Sequence, residues 1–239
     1  MASSLQSWDG WARVLSKKYR IIRLDLPGYG LTGPNRENIY SMRRYADFLN
    51  KFLDAINVKE CYLSGNSLGG KIACEFAFEK GARVKKLVLV DASGYPTNGE
   101  DLQTVTLART ALGRYIFRYV TPRFIVAKNL NQAYSNPKMV TPELIDRFYD
   151  FILRAGNRDA FITICNTPRE NLTERIKGIH APTLILWGGK DPDVPVENAD
   201  RFHHDIVGSQ IIIYNGIGHL PQEEISDSSA ADVEKFLGN

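Results

Sequence analysis

Cysteine and histidine are both scarce in this chain, and their scarcity excludes several kinds of site. The 239 residues include three cysteines, Cys61, Cys74 and Cys165, and four histidines. The cysteines lie far apart, and the chain contains no Cys-x-x-Cys motif and no Cys/His cluster. This pattern argues against a zinc site and is typical of free thiols in a reducing compartment. We therefore expect a cytoplasmic protein without a metal site, and nothing in the sequence implies an organic cofactor.

Long apolar runs and a strong net charge are also missing. No stretch approaches the roughly 18 apolar residues of a membrane-spanning helix, and no signal-peptide hydrophobic stretch occurs near residue 1. The formal net charge of +3 is too small to indicate a nucleic acid partner. We expect a partner that is a small molecule, with neither nucleic acid nor a membrane span involved. The oligomeric state stays open between a monomer and a homodimer.

Strand-like and helix-like patterns alternate in two parts of the chain. Strands are predicted at residues 19–24, 60–63, 84–90, 183–187 and 210–214, with helical patterns between them. This alternation predicts an α/β fold with a mostly parallel sheet flanked by helices.

Residues 96–167 break the alternation, because only helical patterns occur there. An all-helical insertion after the third predicted strand indicates a cap, or lid, over the carboxyl ends of the strands, where open α/β sheets bind ligands. Residues 1–95 and 168–239 then form the core.

The most informative motif is Gly65-Asn66-Ser67-Leu68-Gly69, between a predicted strand and a predicted helix. It matches the G-x-S-x-G nucleophile elbow, in which the serine occupies a strained strand-to-helix turn and small neighbours are needed. Leu68 opens the helix, so its backbone N–H and the positive helix end can face an oxyanion. Ser67 is therefore the candidate nucleophile.

A serine hydroxyl needs a base within hydrogen-bond reach. His219 is the candidate, because it lies in a glycine-rich loop after the last predicted strand. His203 and His204 fall within a predicted helix beside charged residues, and His180 precedes a strand, at the wrong end of a parallel sheet for catalysis.

The base in turn needs a carboxylate to orient it. Asp191 is the first candidate, since it comes just after the carboxyl end of a predicted strand. Asp91 also ends a strand and Asp193 is two residues beyond Asp191, so both stay open as alternatives. Capping and turn formation would also explain an aspartate at either position.

The order Ser67, Asp191, His219 is that of the α/β hydrolases. The chain resembles that superfamily, in its helical-cap form, over essentially its whole length. The matching motifs are Asp-Leu-Pro-Gly-Tyr-Gly at 25–30, Gly-Asn-Ser-Leu-Gly-Gly at 65–70, Trp-Gly-Gly-Lys-Asp-Pro-Asp-Val-Pro at 187–195 and Gly-His-Leu-Pro-Gln-Glu-Glu at 218–224.

The resemblance also points to a departure. Members of the superfamily usually carry a His-Gly motif at the end of an earlier strand, and the following residue supplies a second oxyanion N–H. Met1 stands at about that position here, so Leu68 and Met1 are the candidate oxyanion residues. The missing strand would lie between the strands predicted at 19–24 and 60–63. We expect an N-terminally shortened form of a larger hydrolase; a natural short variant with a re-paired sheet is the alternative.

Three functions remain open. The first is a serine esterase acting on a small or medium acyl ester. The second is a carbon–carbon hydrolase of ring-fission products, a group that resembles this chain in its Gly-Asn-Ser sequence but typically has tryptophan where Leu220 follows His219. The third is a hydrolase-fold protein that binds a ligand without turnover, because its oxyanion hole is incomplete.

Overall fold

The computed structural model describes residues 3–96 and 103–238. Four strands form one sheet in the order β1-β2-β3-β4: β1 Cys61–Asn66, β2 Val84–Val90, β3 Thr183–Gly188 and β4 Gln210–Tyr214. Every neighbouring pair is parallel. The strands predicted at 60–63, 84–90, 183–187 and 210–214, and the α/β class with its parallel sheet, are therefore confirmed.

Helices flank the sheet and fill the segment between β2 and β3. Those outside the predicted cap segment are α1 Asp9–Leu15, α2 Met42–Ala55, α3 Leu68–Glu79, α9 Thr173–Lys177, α10 Glu197–Asp205, α11 Pro221–Glu224 and α12 Ser226–Gly238. Those within it are α4 Gln103–Arg109, α5 Ala111–Tyr119, α6 Arg123–Ala133, α7 Pro142–Leu153 and α8 Asn157–Asn166. Short 3-10 helices occur at Leu5–Trp8, Gly81–Arg83 and Pro137–Met139.

The core has one apolar layer on each face of the sheet, as the two-residue period of a strand requires. Leu87 and Leu89 of β2 pack with α2, α3 and α10 on one face. Val88 and Val90 pack with α1 and α12 on the other face. Every residue of β3 is buried, which is expected for an interior strand of a parallel sheet.

The strand predicted at residues 19–24 is wrong. Residues 20–26 have no regular secondary structure, and β1 pairs only with β2 among the residues that the structure describes. A strand exists only when a neighbour completes its hydrogen bonds, and no strand of the described residues lies beside this segment. Its far end is held instead by the Asp25 carboxylate, which accepts hydrogen bonds from the backbone N–H groups of Leu5 (2.7 Å) and Leu31 (2.8 Å).

The absence of a strand at residues 19–24 changes where the predicted cap segment falls in the order of strands. The segment comes after the second strand of the observed sheet instead of the third. In the described part of that segment, residues 103–166, the structure has helices and no strand. After β4 the chain forms two helices, α11 and α12, which are separated at Ile225. No described helix is both long enough and apolar enough to cross a bilayer.

Candidate active site

Ser67 lies at the turn between β1 and α3, in a conformation that side chains rarely adopt. Its φ is 54° and its ψ is −118°. The backbone fixes this turn from both sides, because Ser67 N–H donates to Val90 O at 3.0 Å and Ser93 N–H donates to Ser67 O at 3.0 Å. Strained backbone of this kind is retained where the surrounding structure holds it, and it turns the hydroxyl away from the sheet.

The glycines of the elbow are not equivalent. A Cβ on Gly65 would lie 2.2 Å from the carbonyl oxygen of Gly69, and a Cβ on Gly70 would lie 2.5 Å from Ala92 Cβ. A Cβ on Gly69 would meet nothing within 4 Å. Close approach therefore requires glycine at 65 and 70, whereas the second glycine of the G-x-S-x-G pattern, at 69, is not required by packing.

Alanine substitutions separate these cases. We expect Gly65→Ala to lower the free energy of unfolding by about 1–3 kcal/mol, because backbone must move to admit the methyl group. Gly69→Ala, its matched control in the same turn, should be neutral or stabilising by up to about 1 kcal/mol, since alanine favours helix. Urea unfolding of both variants measures the difference. Equal destabilisation by the two substitutions would contradict this explanation.

His219 and Asp191 meet beyond the carboxyl ends of β3 and β4. His219 Nδ1 lies 2.7 Å from Asp191 Oδ2, and the side chains are 8% and 0% exposed. The other carboxylate oxygen of Asp191 accepts from the N–H groups of Asp193 (2.7 Å) and Val194 (3.0 Å). The Asp191 carboxylate is therefore fixed by its own loop while it holds the imidazole ring.

Close contact between two glycines brings the two loops together. A Cβ on Gly188, at the end of β3, would lie 1.8 Å from the carbonyl oxygen of Gly218. Only glycine at 188 lets the loop that carries His219 approach the loop that carries Asp191.

Asn66 joins this pair to the elbow. Its side-chain NH₂ donates to Val90 O at 3.2 Å and to His219 O at 3.1 Å. Ser67 and His219 line the same cavity, whose volume is about 1780 Å³. No direct hydrogen bond joins their side chains among those that the structure describes. Asn66 was missed by sequence reasoning as a contributor to the site, although it lies inside the recognised motif.

The other candidate histidines lie away from the His219–Asp191 pair, whereas the other candidate aspartates, Asp193 and Asp91, lie near it. His203 Nδ1 is 3.0 Å from Ser209 Oγ, and His204 pairs with Asp205 at the end of α10. His180 is exposed before β3. Asp193 donates its backbone N–H to Asp191, and a carboxylate oxygen of Asp91 lies within 4.8 Å of ligand atoms of both Asp191 and His219. Of the two oxyanion candidates, Leu68 is the first residue of α3, and Met1 lies outside the described residues.

A sequence model of the α/β hydrolase fold matches residues 1–224. The chain belongs to the α/β hydrolases. Its relatives include the uncharacterised hydrolase YugF of Bacillus subtilis, 29% identical over 94% of this chain and 82% of the relative. The 2-hydroxy-6-oxo-2,4-heptadienoate hydrolase of Pseudomonas putida is 28% identical over 97% of this chain and 84% of the relative. The meta-cleavage product hydrolase of Pseudomonas fluorescens superposes with a TM-score of 0.86 at 25% identity, covering 99% of this chain and 86% of that one.

Asp91 gives this hydrolase a second buried carboxyl group close to that of Asp191. Its backbone φ is 43°, and its Oδ1 accepts from Gly188 N–H at 2.8 Å. Its Oδ2 has no hydrogen-bond partner among the described residues. Ligand atoms of Asp91, Asp191 and His219 all lie within 4.8 Å of one another. Burial, and then the charge of Asp191, raise the pKa of Asp91 well above its ordinary value. Asp91 therefore holds its proton more tightly than an ordinary aspartate does.

That proton makes stability depend on pH. The folded hydrolase binds it more tightly than the unfolded chain, so the stabilisation is complete below the unfolded-state pKa of about 3.9 and is lost as pH rises through the folded value. An asparagine side chain at position 91 has nearly the same shape as the aspartate side chain, and it carries no titratable group. We expect Asp91→Asn to gain stability relative to wild type as pH rises from about 4, by about 1.4 kcal/mol for each tenfold difference in proton affinity.

Urea unfolding at a series of pH values measures this difference, with Asp193→Asn as the control for losing a carboxylate at the same end of the sheet. A stability difference that does not change with pH would show that Asp91 is ionised in the folded hydrolase.

The three acid and imidazole groups are poorly suited to hold a metal ion. Asp191 already accepts two backbone hydrogen bonds and contacts His219 Nδ1, and one oxygen of Asp91 accepts from Gly188 N–H. A divalent ion requires deprotonated ligands with free lone pairs. The Asp191 carboxylate is instead placed to orient the imidazole ring of His219.

The helical segment packs directly on the loop that carries His219. His219 N–H donates to Ala133 O at the end of α6, at 2.8 Å. Glu224 Oε2 accepts from Ser135 N–H at 2.9 Å, and Glu224 Oε1 accepts from Gly218 N–H at 2.9 Å. Leu220 is buried in a cluster with residues of α6 and α7. The position of the histidine loop thus depends on contacts with this segment.

Proposed function

We propose that this α/β hydrolase is a serine hydrolase that cleaves carboxylic esters through an acyl-enzyme. The observation that carries the proposal is the 2.7 Å contact between His219 Nδ1 and a buried Asp191 carboxylate. His219 lines the same cavity as Ser67, which stands on its strained turn. A nucleophile and a base on one cavity, with a buried acid that orients the base, are the combination that acyl transfer requires.

The contact fixes the tautomer of the proposed base. An ionised carboxylate can only accept, so His219 Nδ1 carries the proton and Nε2 keeps a free lone pair. Nε2 takes the proton from Ser67 Oγ as the hydroxyl attacks the ester carbonyl, and it returns that proton to the leaving alcohol. Water then repeats the sequence on the acyl-enzyme and releases the acid. Asp191 stays ionised throughout and stabilises the imidazolium.

In this proposal, the amino end of α3 stabilises the negative charge that develops on the carbonyl oxygen. The first N–H groups of a helix have no partner within the helix, and the helix dipole adds positive potential there. Leu68 N–H is the first of them and would donate to the oxyanion. The second proposed donor, at Met1, is outside the described residues. Loss of one donor lowers turnover about 10²- to 10³-fold in comparable sites.

Carbon–carbon hydrolysis of a ring-fission product is the second candidate. It is supported by the names of the relatives from Pseudomonas putida and Pseudomonas fluorescens. The basic residues Lys71, Arg109 and Arg169 line the cavity, which suits an anionic dienoate. Against it, the Asn66 NH₂ already donates to Val90 O and His219 O, and so has a structural role. Leu220 is buried against α6 and α7 and takes no part in the cavity chemistry proposed here.

Two substrates distinguish the candidates. We expect kcat/KM for p-nitrophenyl butyrate to exceed that for 2-hydroxy-6-oxo-2,4-heptadienoate by at least roughly tenfold, or about 1.4 kcal/mol in activation free energy. The reverse ratio would replace the ester proposal with carbon–carbon hydrolysis. Thermal stabilisation by both compounds without turnover of either would support a binding protein instead.

A further inference from the structure

Helices α4, α5 and α6 carry a concentration of exposed hydrophobic side chains. Of the 15 large hydrophobic side chains that are exposed among the described residues, seven lie between residues 107 and 124. Single exposed hydrophobic side chains are ordinary, whereas a cluster of them marks a surface that contacts another molecule. These seven residues are called the apolar patch below: Leu107, Leu112, Tyr115, Ile116, Tyr119, Val120 and Phe124.

Four members of the apolar patch share one face of α5, because they recur at the spacing of three or four residues that puts side chains on one side of a helix. They are Leu112, Tyr115, Ile116 and Tyr119. The rings of two of them, Tyr115 and Tyr119, lie edge to face with their centroids 5.3 Å apart. The patch is therefore a continuous apolar surface along this helix.

A different face of α5 packs against the rest of the protein. Phe117 is buried in a cluster with residues of α8, and its ring centroid lies 5.9 Å from that of Phe161. Phe117 also lines the cavity of the candidate active site, whereas none of the seven patch residues does. One apolar stripe is enough to hold a helix on a protein core. The patch is a second apolar surface on α5, and it faces outward.

The sequence around the patch carries charge of one sign. Residues 102–142 contain six lysines and arginines and no aspartate or glutamate. Two of these arginines form ion pairs with acidic residues that follow this range in the chain: Arg118 with Asp159, and Arg123 with Asp146.

Two other cations next to the patch have no such partner. Arg114 and Lys128 are exposed, and neither pairs with an acidic side chain among the residues that the structure describes. Arg114 is adjacent in sequence to Tyr115 of the patch. Lys128 lies four residues after Phe124 on α6, so the two side chains are neighbours on the helix surface. The patch is thus flanked by positive charge.

Composition and charge together select the molecule that covers the patch. In a symmetric dimer, the same patch of two copies would meet, and the basic side chains around both patches would repel each other. An extended peptide requires a groove or a free sheet edge, whereas the patch lies on a helix surface outside the cavity. Aliphatic side chains and tyrosine rings flanked by arginine and lysine are typical of helices that lie at an anionic lipid–water interface.

We propose that the apolar patch, with Arg114 and Lys128 beside it, docks this hydrolase on the surface of an anionic lipid bilayer. The apolar side chains enter the boundary between headgroups and acyl chains, the tyrosine hydroxyls stay at headgroup level, and the cations contact lipid phosphates. Ile125 and Val126 of α6 follow Phe124 and line the cavity, so docking brings the cavity close to the lipid. The proposal is independent of ester cleavage, and its test requires no turnover.

The first experiment measures binding of the full chain to vesicles by cosedimentation. One set of vesicles contains equal amounts of phosphatidylglycerol and phosphatidylcholine, and the other contains phosphatidylcholine alone. We expect saturable binding to the mixed vesicles, at least about tenfold tighter than to the neutral ones. Binding should weaken at least about tenfold as sodium chloride rises from about 0.1 M to about 1 M, because the Debye length falls from about 10 Å to about 3 Å.

The second experiment removes apolar side chains from the patch. The double variant Tyr115→Gln, Phe124→Gln keeps good helix formers at both positions. Its affinity for the mixed vesicles should fall at least about tenfold, because less apolar surface enters the lipid. Val207→Gln is the control, since Val207 is 93% exposed and lies outside the patch. Its affinity should stay within about twofold of wild type, and circular dichroism should show that all variants fold.

The third experiment removes charge. The double variant Arg114→Gln, Lys128→Gln should bind the mixed vesicles at least about tenfold more weakly and the neutral vesicles as wild type does. The double variant Lys17→Gln, Lys51→Gln removes the same net charge from exposed positions outside the patch. Its affinity for the mixed vesicles should stay within about twofold of wild type, because the removed cations lie away from the lipid.

Three results would overturn the proposal. The first is the absence of saturable binding to the mixed vesicles, and the second is binding that either patch variant retains in full. The third is a dimer in sedimentation equilibrium that the Tyr115→Gln, Phe124→Gln variant does not form, which would show that a second copy covers the patch. Binding of polyglutamate by a chain that does not bind vesicles would assign the patch to an acidic protein instead.

Discussion

Replacing Ser67 with alanine is expected to lower kcat for p-nitrophenyl butyrate by roughly 10⁴- to 10⁶-fold, the range seen when a triad nucleophile is removed. The physical reason is that no other group stands on the strained turn between β1 and α3, opposite the His219 ring. KM should change little, because substrate contacts with the cavity walls stay in place. Steady-state kinetics on purified enzyme measures both constants.

Ser93→Ala is the matched control for this substitution. Ser93 lines the same cavity, and its contact with the elbow uses the backbone N–H, which alanine retains. We expect its kcat to stay within about threefold of wild type. A Ser67→Ala variant that folds and retains more than roughly a tenth of wild-type turnover would exclude Ser67 as the nucleophile.

Asp191→Asn is expected to lower kcat roughly 10⁴-fold, because an amide at 191 favours the wrong tautomer of His219 and cannot stabilise the imidazolium. The geometry behind this is the 2.7 Å contact from Asp191 Oδ2 to His219 Nδ1, with Oδ1 held by two backbone N–H groups. The loss should appear in kcat more than in KM, since Asp191 is 0% exposed at its side chain and does not reach substrate.

Asp193→Asn provides the comparison, since the same change is made two residues away. Asp193 supplies its backbone N–H to Asp191, and this donor survives the substitution. Its kcat should stay within about threefold of wild type. Equal losses in the two variants would mean that the loop tolerates no change, and the orienting role of Asp191 would then have no support.

The elbow could be predicted because its determinants are local. The sequence around Ser67 specifies a strand, a turn that needs Gly65, and a helix that starts at Leu68, and the structure has each of these. The approach of Asp191 to His219 could be anticipated from their positions after β3 and β4, since carboxyl ends of parallel strands meet at one edge of a sheet. Geometry at that edge then separates Asp191 from Asp193, which the sequence left open.

Properties that depend on contacts between distant parts of the chain could not be predicted from the sequence. Residues 19–24 have the composition of a strand, but pairing depends on a neighbour that the local sequence does not specify. The raised pKa of Asp91 arises from burial beside Asp191, which lies 100 positions away in the chain. The bond from Asn66 to the His219 carbonyl likewise joins two distant loops. The role of Met1 stays a prediction, as does the division into core and cap.

The most direct measurement of the proposed chemistry is covalent labelling with a fluorophosphonate, followed by peptide mass spectrometry to locate the modified residue. We expect stoichiometric modification at Ser67 and none elsewhere, with labelling slowed at least roughly 10³-fold in His219→Ala because the base is lost. A folded wild-type protein that stays unlabelled, or that is labelled at another serine at the same rate in both proteins, would contradict it.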